Sequence, residues 1–321
     1  MKRVEDTAVA SISKPKAERM SKPIILLTGA TGQVGGELLH LLPELGEVIA
    51  PPRSTMDLAN PQSIRETIRA IKPRWIVNPG AYTAVDKAES EPHLAHAINA
   101  EAVHAIGEEA RNHGAGVIHF STDYVFSGTG TVPYTETDAP SPVSVYGSTK
   151  FAGEKALAST GAGHLIFRTS WVYGATGKNF LLTILKLARE REHLRIVGDQ
   201  HGAPTWSRDL AEMTLQVIGR CEKAAATRPL DDVLSEVSGI YHASGRGETT
   251  WHDFAAEALR LQHEKEPTTR FAHTEAISTD DYPTPAKRPA NSRLNCTKLE
   301  QRFGWRMMHW QESVREVLDE L

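Results

Sequence analysis

Tyr146 and Lys150 stand four residues apart in Tyr146-Gly147-Ser148-Thr149-Lys150, a stretch that reads as helix. Residues at that spacing share one helix face, so a phenol and an ammonium can address the same point. A free tyrosine titrates near pH 10. Bringing it towards 7 takes about 4 kcal/mol of differential stabilisation, and a neighbouring cation acts in that direction by favouring the phenolate. The spacing alone is common on helices. It gains meaning from an apolar run upstream that ends in hydroxyls, Phe120-Ser121-Thr122-Asp123-Tyr124, where Thr122 can hydrogen-bond an oxygen held beside Tyr146. Such a set suits general acid–base work on an oxygen that gains or loses a proton.

A second constellation lies near the N-terminus. Ile24-Ile25-Leu26-Leu27-Thr28 runs into Gly29-Ala30-Thr31-Gly32-Gln33-Val34-Gly35, a strand, a tight turn and the start of a helix. Gly29 permits the turn, Gly32 lets a pyrophosphate approach the backbone, and Gly35 lets helix and strand pack closely. The helix N-terminus then offers free N–H groups to phosphates. The spacing is Gly-x-x-Gly-x-x-Gly, and its strand–turn–helix setting points to a dinucleotide. An acid at the end of the second strand would select NADH. The chain instead reads Ala50-Pro51-Pro52-Arg53. Arg53 can pair with a 2′-phosphate, so NADPH is the expected cofactor and NADH the alternative. Asp57 and Leu58 are placed to meet the adenine, and Ala81-Tyr82-Thr83 the middle of the cofactor.

The elements that must position these groups follow a βαβ rhythm, the signature of a parallel sheet with crossover helices. Strands are expected at Ile24–Thr28, Glu47–Ala50, Trp75–Asn78, Gly116–Ser121 and His164–Thr169. Helices are expected at Gln33–Leu42, Pro61–Ile71, Pro92–His113 and Tyr146–Ser159. The fold class is α/β, a Rossmann-type doubly wound sheet over residues 23–170. A smaller α/β substrate-binding region covers 171–321, with some segments returning to the first domain. In that part, helices are expected near Asn179–Glu192 and Ser207–Arg220 and strands at Leu194–Val197 and Gly239–Ala243. Thr250 to Asp253 reads as a capping box opening a helix through Leu261, and a Pro-rich loop, Tyr282–Pro289, precedes two short terminal helices. Residues 1–22 are charged and aperiodic, a disordered extension carrying no chemistry; translation starting at Met20 is the alternative.

Several motifs are longer than spacing arguments require: Ala81-Tyr82-Thr83-Ala84-Val85-Asp86-Lys87-Ala88-Glu89, Ser121-Thr122-Asp123-Tyr124-Val125-Phe126, Arg168-Thr169-Ser170-Trp171-Val172-Tyr173, Asp199-Gln200-His201-Gly202-Ala203-Pro204-Thr205 and Arg288-Pro289-Ala290-Asn291-Ser292. With Gly29–Gly35, Thr122, Tyr146 and Lys150 they resemble the extended short-chain dehydrogenase/reductase family, and within it the dTDP-4-dehydrorhamnose reductases, from about Ile24 to the C-terminus. The resemblance implies reduction of the C4 ketone of a nucleotide-linked sugar. Tyr146 would be the proton donor, and Lys150 would hold the nicotinamide ribose and lower the tyrosine pKa. Thr122 and Asp123 would touch the sugar, and Trp171 would pack on it. Arg288 is the candidate for the diphosphate, since a guanidinium binds phosphate oxygens bidentately, and Asn291 in the same loop is assigned to the substrate.

Two departures from the family pattern matter. Pro52 stands where an acid is frequent, which favours NADPH. Some members form a Mg²⁺-linked dimer through glutamates; Glu37 matches one such position, but Trp206-Ser207-Arg208-Asp209 stands where another acid is expected. No metal is assigned, Mg²⁺ dependence is left open, and the oligomer is a monomer or a homodimer. A formal charge of −4, from 36 basic and 40 acidic residues, gives no footprint for nucleic acid. No apolar run approaches the roughly 20 residues of a membrane span. Cys221 and Cys296 read as reduced thiols of a cytoplasmic protein. Two rival readings share the motifs: a nucleotide-sugar epimerase with tightly held NAD, and a non-catalytic regulatory subunit of the same fold.

Overall fold

Six strands assemble into one parallel sheet: β1 (Ile24–Leu27), β2 (Glu47–Ile49), β3 (Trp75–Asn78), β4 (Gly116–Thr122), β5 (His164–Thr169) and β6 (Gly239–His242), in spatial order β6-β5-β4-β3-β1-β2. The computed structural model describes residues 22–321, so the expectation of a disordered extension falls almost wholly outside the described chain. Every residue of β3, β4 and β5 is buried, as expected of strands covered by helices on both faces. One face of the sheet packs on α1 (Gln33–Leu41) through Leu38, and the other on α2 (Pro61–Ile71), α3 (Ala102–His113) and α4 (Val145–Ser159) through Ile64, Ile68, Ile106 and Leu157.

Local chemistry sets the helix starts. Asn60 accepts from Gln62 N and Ser63 N, and Pro61 occupies the first turn of α2. Ser144 accepts from Gly147 N at 3.2 Å, which begins α4 at Val145 and puts Tyr146 in its first turn. The stretch Pro92–His113 is not one regular helix. It runs as Pro92–His96, a π turn at Ala97–Glu101, then α3. Hydrophobic periodicity does not register one inserted residue, and here the bulge presents Asn99, whose amide holds Tyr82 N at 2.8 Å and Thr149 Oγ1 at 3.1 Å.

Beyond residue 171 the chain divides its service. Helix α5 (Phe180–Glu190) packs with α7 (Trp251–Lys265) and α8 (Trp310–Asp319) in a separate apolar cluster around Phe254. Between α5 and α7, α6 (Ser207–Ala225) returns to α1, and β6 pairs with β5 at the sheet edge. Helix α6 runs five residues past the expected Arg220. Helix α7 is also longer than expected, and its cap is one-sided. Thr250 accepts from Asp253 N, while the Asp253 carboxylate meets His252 instead of returning to the cap.

Candidate active site

The chain runs from β1 to β2 on one side and then crosses to β3 on the other. This reversal opens a crevice at the carboxyl ends of β1 and β3, the place where open α/β sheets bind ligands. Gly29 sits there with φ +58°, and a Cβ on Gly35 would lie 2.0 Å from the Gly29 carbonyl oxygen. No side chain fits at either position, so helix and turn can close only around glycine. Thr31 and Gly32 are exposed at the lip, Val34 packs inward, and the first helical N–H groups face outward. The Gln33 amide reaches across to Val172 O and accepts from Asn179, tying the turn to the segment after β5. Arg53 lies on an exposed turn beyond β2, 3.4 Å from Asp57. Leu58 approaches Gly80 at the end of β3; Ala81 and Tyr82 are partly buried beside it, and Thr83 is exposed.

Thr122 ends β4 and turns its hydroxyl inward, donating to Asp123 Oδ1 at 3.0 Å and accepting from Tyr124 N at 3.2 Å. Tyr146 stands over it, edge-on to Tyr124 with ring centroids 5.5 Å apart. Burial pushes the Tyr146 phenol up to about 12, with the Thr122 hydroxyl pulling the other way. The Lys150 ammonium turns to the Phe120 carbonyl at 2.7 Å and to His119 Nε2 at 3.3 Å. Burial brings Lys150 down to about 8, against the attraction of Glu154 one turn along α4.

Asp123 is buried, and burial raises its carboxyl to about 6 against hydrogen bonds from Ser292 and Thr122; its Oδ2 lacks a hydrogen-bond partner. Trp171, with φ +47°, stacks on Trp251 at 3.7 Å and packs its edge over Gly202. Arg288 holds Asp86 through both carboxylate oxygens, at 3.0 and 2.7 Å. Asn291 is likewise committed. Its amide nitrogen donates to Gly130 O and Val132 O and its oxygen accepts from Arg293, which straps the 127–144 loop to the C-terminal segment. Glu37 pairs with Arg208, which also meets Glu320. Among the described residues no group of three or more His, Cys, Asp or Glu side chains is arranged to hold a metal.

The motif reading missed several residues that the fold brings to the catalytic set. His119, Asn78 and Thr28 form a buried polar row behind Lys150. Glu154 and Arg168 form a buried ion pair beside it. A histidine in the apolar strand Gly116–Thr122 was the signal available for the first. Trp251 is the stacking partner of Trp171.

A glycine turn at the switch point of a Rossmann sheet, with a tyrosine, a lysine and a strand-end threonine across the crevice, defines an oxidoreductase of the short-chain dehydrogenase/reductase type. The family model described as the RmlD substrate binding domain matches residues 23–321, and the chain belongs to that family. It is 48% identical over 301 residues to a dTDP-4-dehydrorhamnose reductase of Shigella flexneri, covering 92% of this chain and 97% of that protein. The crystal structure of such a reductase from Clostridium acetobutylicum is similar with a TM-score of 0.83 at 34% identity, covering 92% of this chain and 99% of that one. The reductase from Bacillus anthracis, solved in complex with NADP, gives 0.82 at 30% identity, covering 94% and 100%.

Proposed function

We propose that the protein reduces the C4 ketone of dTDP-4-dehydro-L-rhamnose to give dTDP-L-rhamnose, drawing on NADPH. The observation that carries this reading is the convergence of Thr122, Tyr146 and Lys150 beside the Gly29–Gly35 turn. That turn fits a dinucleotide, since Gly29 and Gly35 let strand, turn and helix close tightly and leave the Thr31–Gly32 lip exposed at the helix N-terminus. The helix N-terminus, Ala81 to Thr83, Tyr146 and Lys150 would hold it, and when bound its reduced nicotinamide supplies the hydride.

The chain's own residues do the rest. Thr122 and Tyr146 donate to the ketone oxygen, and Tyr146 gives up its proton as that oxygen becomes an alkoxide. Burial alone makes the Tyr146 phenol a weaker acid, so the donation draws on the neighbouring Lys150 ammonium. The Lys150 ammonium, a helical turn away, then stabilises the phenolate left behind. Asp123 and the Trp171 face hold the sugar, and Arg288 exchanges part of its contact with Asp86 for the diphosphate. The preference for NADPH rests on Arg53 and on the lack of a carboxylate at the end of β2. A cytosolic location accords with two free thiols and with no helix among the described residues long and apolar enough to cross a membrane.

Purified protein with NADPH and a panel of dTDP-4-keto sugars tests the reading. Oxidation of NADPH with dTDP-4-dehydro-L-rhamnose is expected. Absence of turnover, together with NAD⁺ that survives purification, would instead indicate an epimerase.

A further inference from the structure

A row of buried polar groups runs across the sheet beneath the site. The Thr28 hydroxyl, at the end of β1, accepts from Gly80 N at 3.2 Å and meets Asn78 Oδ1 at 2.5 Å. The other amide atom of Asn78, at the end of β3, lies 3.1 Å from His119 Nδ1, and His119 Nε2 in β4 lies 3.3 Å from Lys150 Nζ. His119 and Lys150 are fully enclosed. With Asn78 Nδ2 turned to His119, the imidazole must carry its proton on Nε2, and Lys150 can meet it only as a neutral amine. With the amide turned over, His119 carries its proton on Nδ1 and offers a lone pair to the Lys150 ammonium. The row therefore has two senses, one for each charge state of Lys150, and in the second the Thr28 hydroxyl accepts from both Asn78 and Gly80 and gives up Asn78 Oδ1 as its acceptor.

We propose that His119 is a positioning residue for Lys150: through the reversible Asn78–Thr28 row it partners Nζ in either charge state and keeps the ammonium fixed on the Tyr146 side of the sheet. The inference rests on the reductase reading, in which the phenolate formed at Tyr146 needs that ammonium. Two features support it beyond the distances. His119 is held well below its ordinary range by burial and by the Lys150 charge, so it stays a neutral partner. The Phe120 carbonyl takes one Lys150 donor and His119 a second, which leaves the third for the crevice. The titratable groups whose charge acts on this pair are Glu154 on α4 and His164 on β5.

The test compares kcat, KM and pH profiles of the NADPH-loaded enzyme for wild type, His119→Leu, His119→Gln and Asn78→Asp. Leucine removes the acceptor, so kcat is expected to fall about 10-fold or more with KM for the sugar nearly unchanged. The basic limb of the profile should then move about one pH unit lower, the size of one lost hydrogen bond to a buried charge. Glutamine, which can place an amide oxygen near the former Nε2, should recover most of both effects. Asn78→Asp fixes the sense that favours the ammonium, so its basic limb should move up. Unshifted limbs in His119→Leu and Asn78→Asp, or a kcat loss that glutamine leaves unrepaired, would reduce His119 to packing and overturn the proposal. If the leucine variant fails to fold, the direction of the Asn78→Asp shift decides. A wild-type enzyme inactive on dTDP-4-dehydro-L-rhamnose would defeat the reductase reading itself, and an active one with unmoved limbs defeats only this inference.

Discussion

Glu154 and Arg168 offer the sharpest energetic test of how the site is built. Their side chains are 2% and 1% exposed, joined by two hydrogen bonds of 2.9 and 2.7 Å, with Ser121 Oγ donating to the same carboxylate at 2.5 Å. Arg168 Nη1 has no partner, and the guanidinium lies over the Phe126 ring at 5.1 Å. Glu154→Ala would strand this cation in the interior, a change that costs about 3–5 kcal/mol. Unfolding entropy of about 2.1 cal/mol/K per residue over the 300 described residues gives about 0.6 kcal/mol/K, so the melting temperature should fall by roughly 5–8 °C. Replacing both partners, Glu154→Leu with Arg168→Met, removes the stranded charge and should bring the melting temperature back to within about 2 °C of wild type or above it. Scanning calorimetry at pH 7 reads both. A single variant that loses less than about 2 °C, or a double variant that melts below the single, would refute the claim that desolvation dominates this pair. The double variant has a functional signature too: without Glu154 to favour the Lys150 ammonium, the basic limb of activity should move to lower pH.

Tyr146→Phe should reduce kcat by about 10²–10⁴-fold while NADPH affinity, read by fluorescence titration, stays within about 2-fold; an unchanged kcat would remove Tyr146 as proton donor. Arg53→Ala should raise KM for NADPH about 10-fold or more with little change for NADH, the loss of one charge-assisted contact; equal effects on both cofactors would refute its phosphate role. Asp123→Asn should weaken sugar binding and stabilise the protein above pH 6. The carboxyl rises from 3.8 to about 6 on folding, so its proton stabilises the native state fully below pH 4 and that contribution is lost as pH rises through 6. The difference is about 3 kcal/mol, and it should vanish from the pH dependence of the melting temperature in the asparagine variant.

What could be read from the chain and what could not divides along a physical line. β3, β4 and β5 were legible because both their faces are buried, which leaves short apolar runs at Trp75–Val77, Val117–Ile118 and Leu165–Phe167 in place of strict alternation. Tyr146 and Lys150 were legible because one helix sets their spacing, and the Gly29–Gly35 turn because steric necessity restricts it to glycine. Contacts set by strand register or by domain packing leave no such local trace. His119 meets Asn78 across 41 residues, Trp171 meets Trp251 across 80, and Arg288 meets Asp86 across 202. The Arg288 pairing also explains why the motif reading overstated that side chain's freedom: a guanidinium in a polar loop looks available until the fold supplies its carboxylate.

The polar atoms that folding leaves without partners show why the site sits where it does. Of seven such buried side-chain atoms among the described residues, four belong to Asp123, Arg168, Thr169 and His242. These residues lie at or just past the carboxyl ends of β4, β5 and β6, where Thr122 pairs in register with Thr169 and Arg168 with His242. Leaving a buried group unpaired costs about 1–3 kcal/mol, and a core under selection for stability alone would scatter or remove such groups. Here Arg168, Thr169 and His242 gather along one edge of the sheet with Asp123, the acid that burial raises to about 6, near Lys150, which burial lowers to about 8. Helices cover the flanks of these strands but not their ends, so those ends are where a parallel sheet can present hydrogen-bonding groups to a ligand.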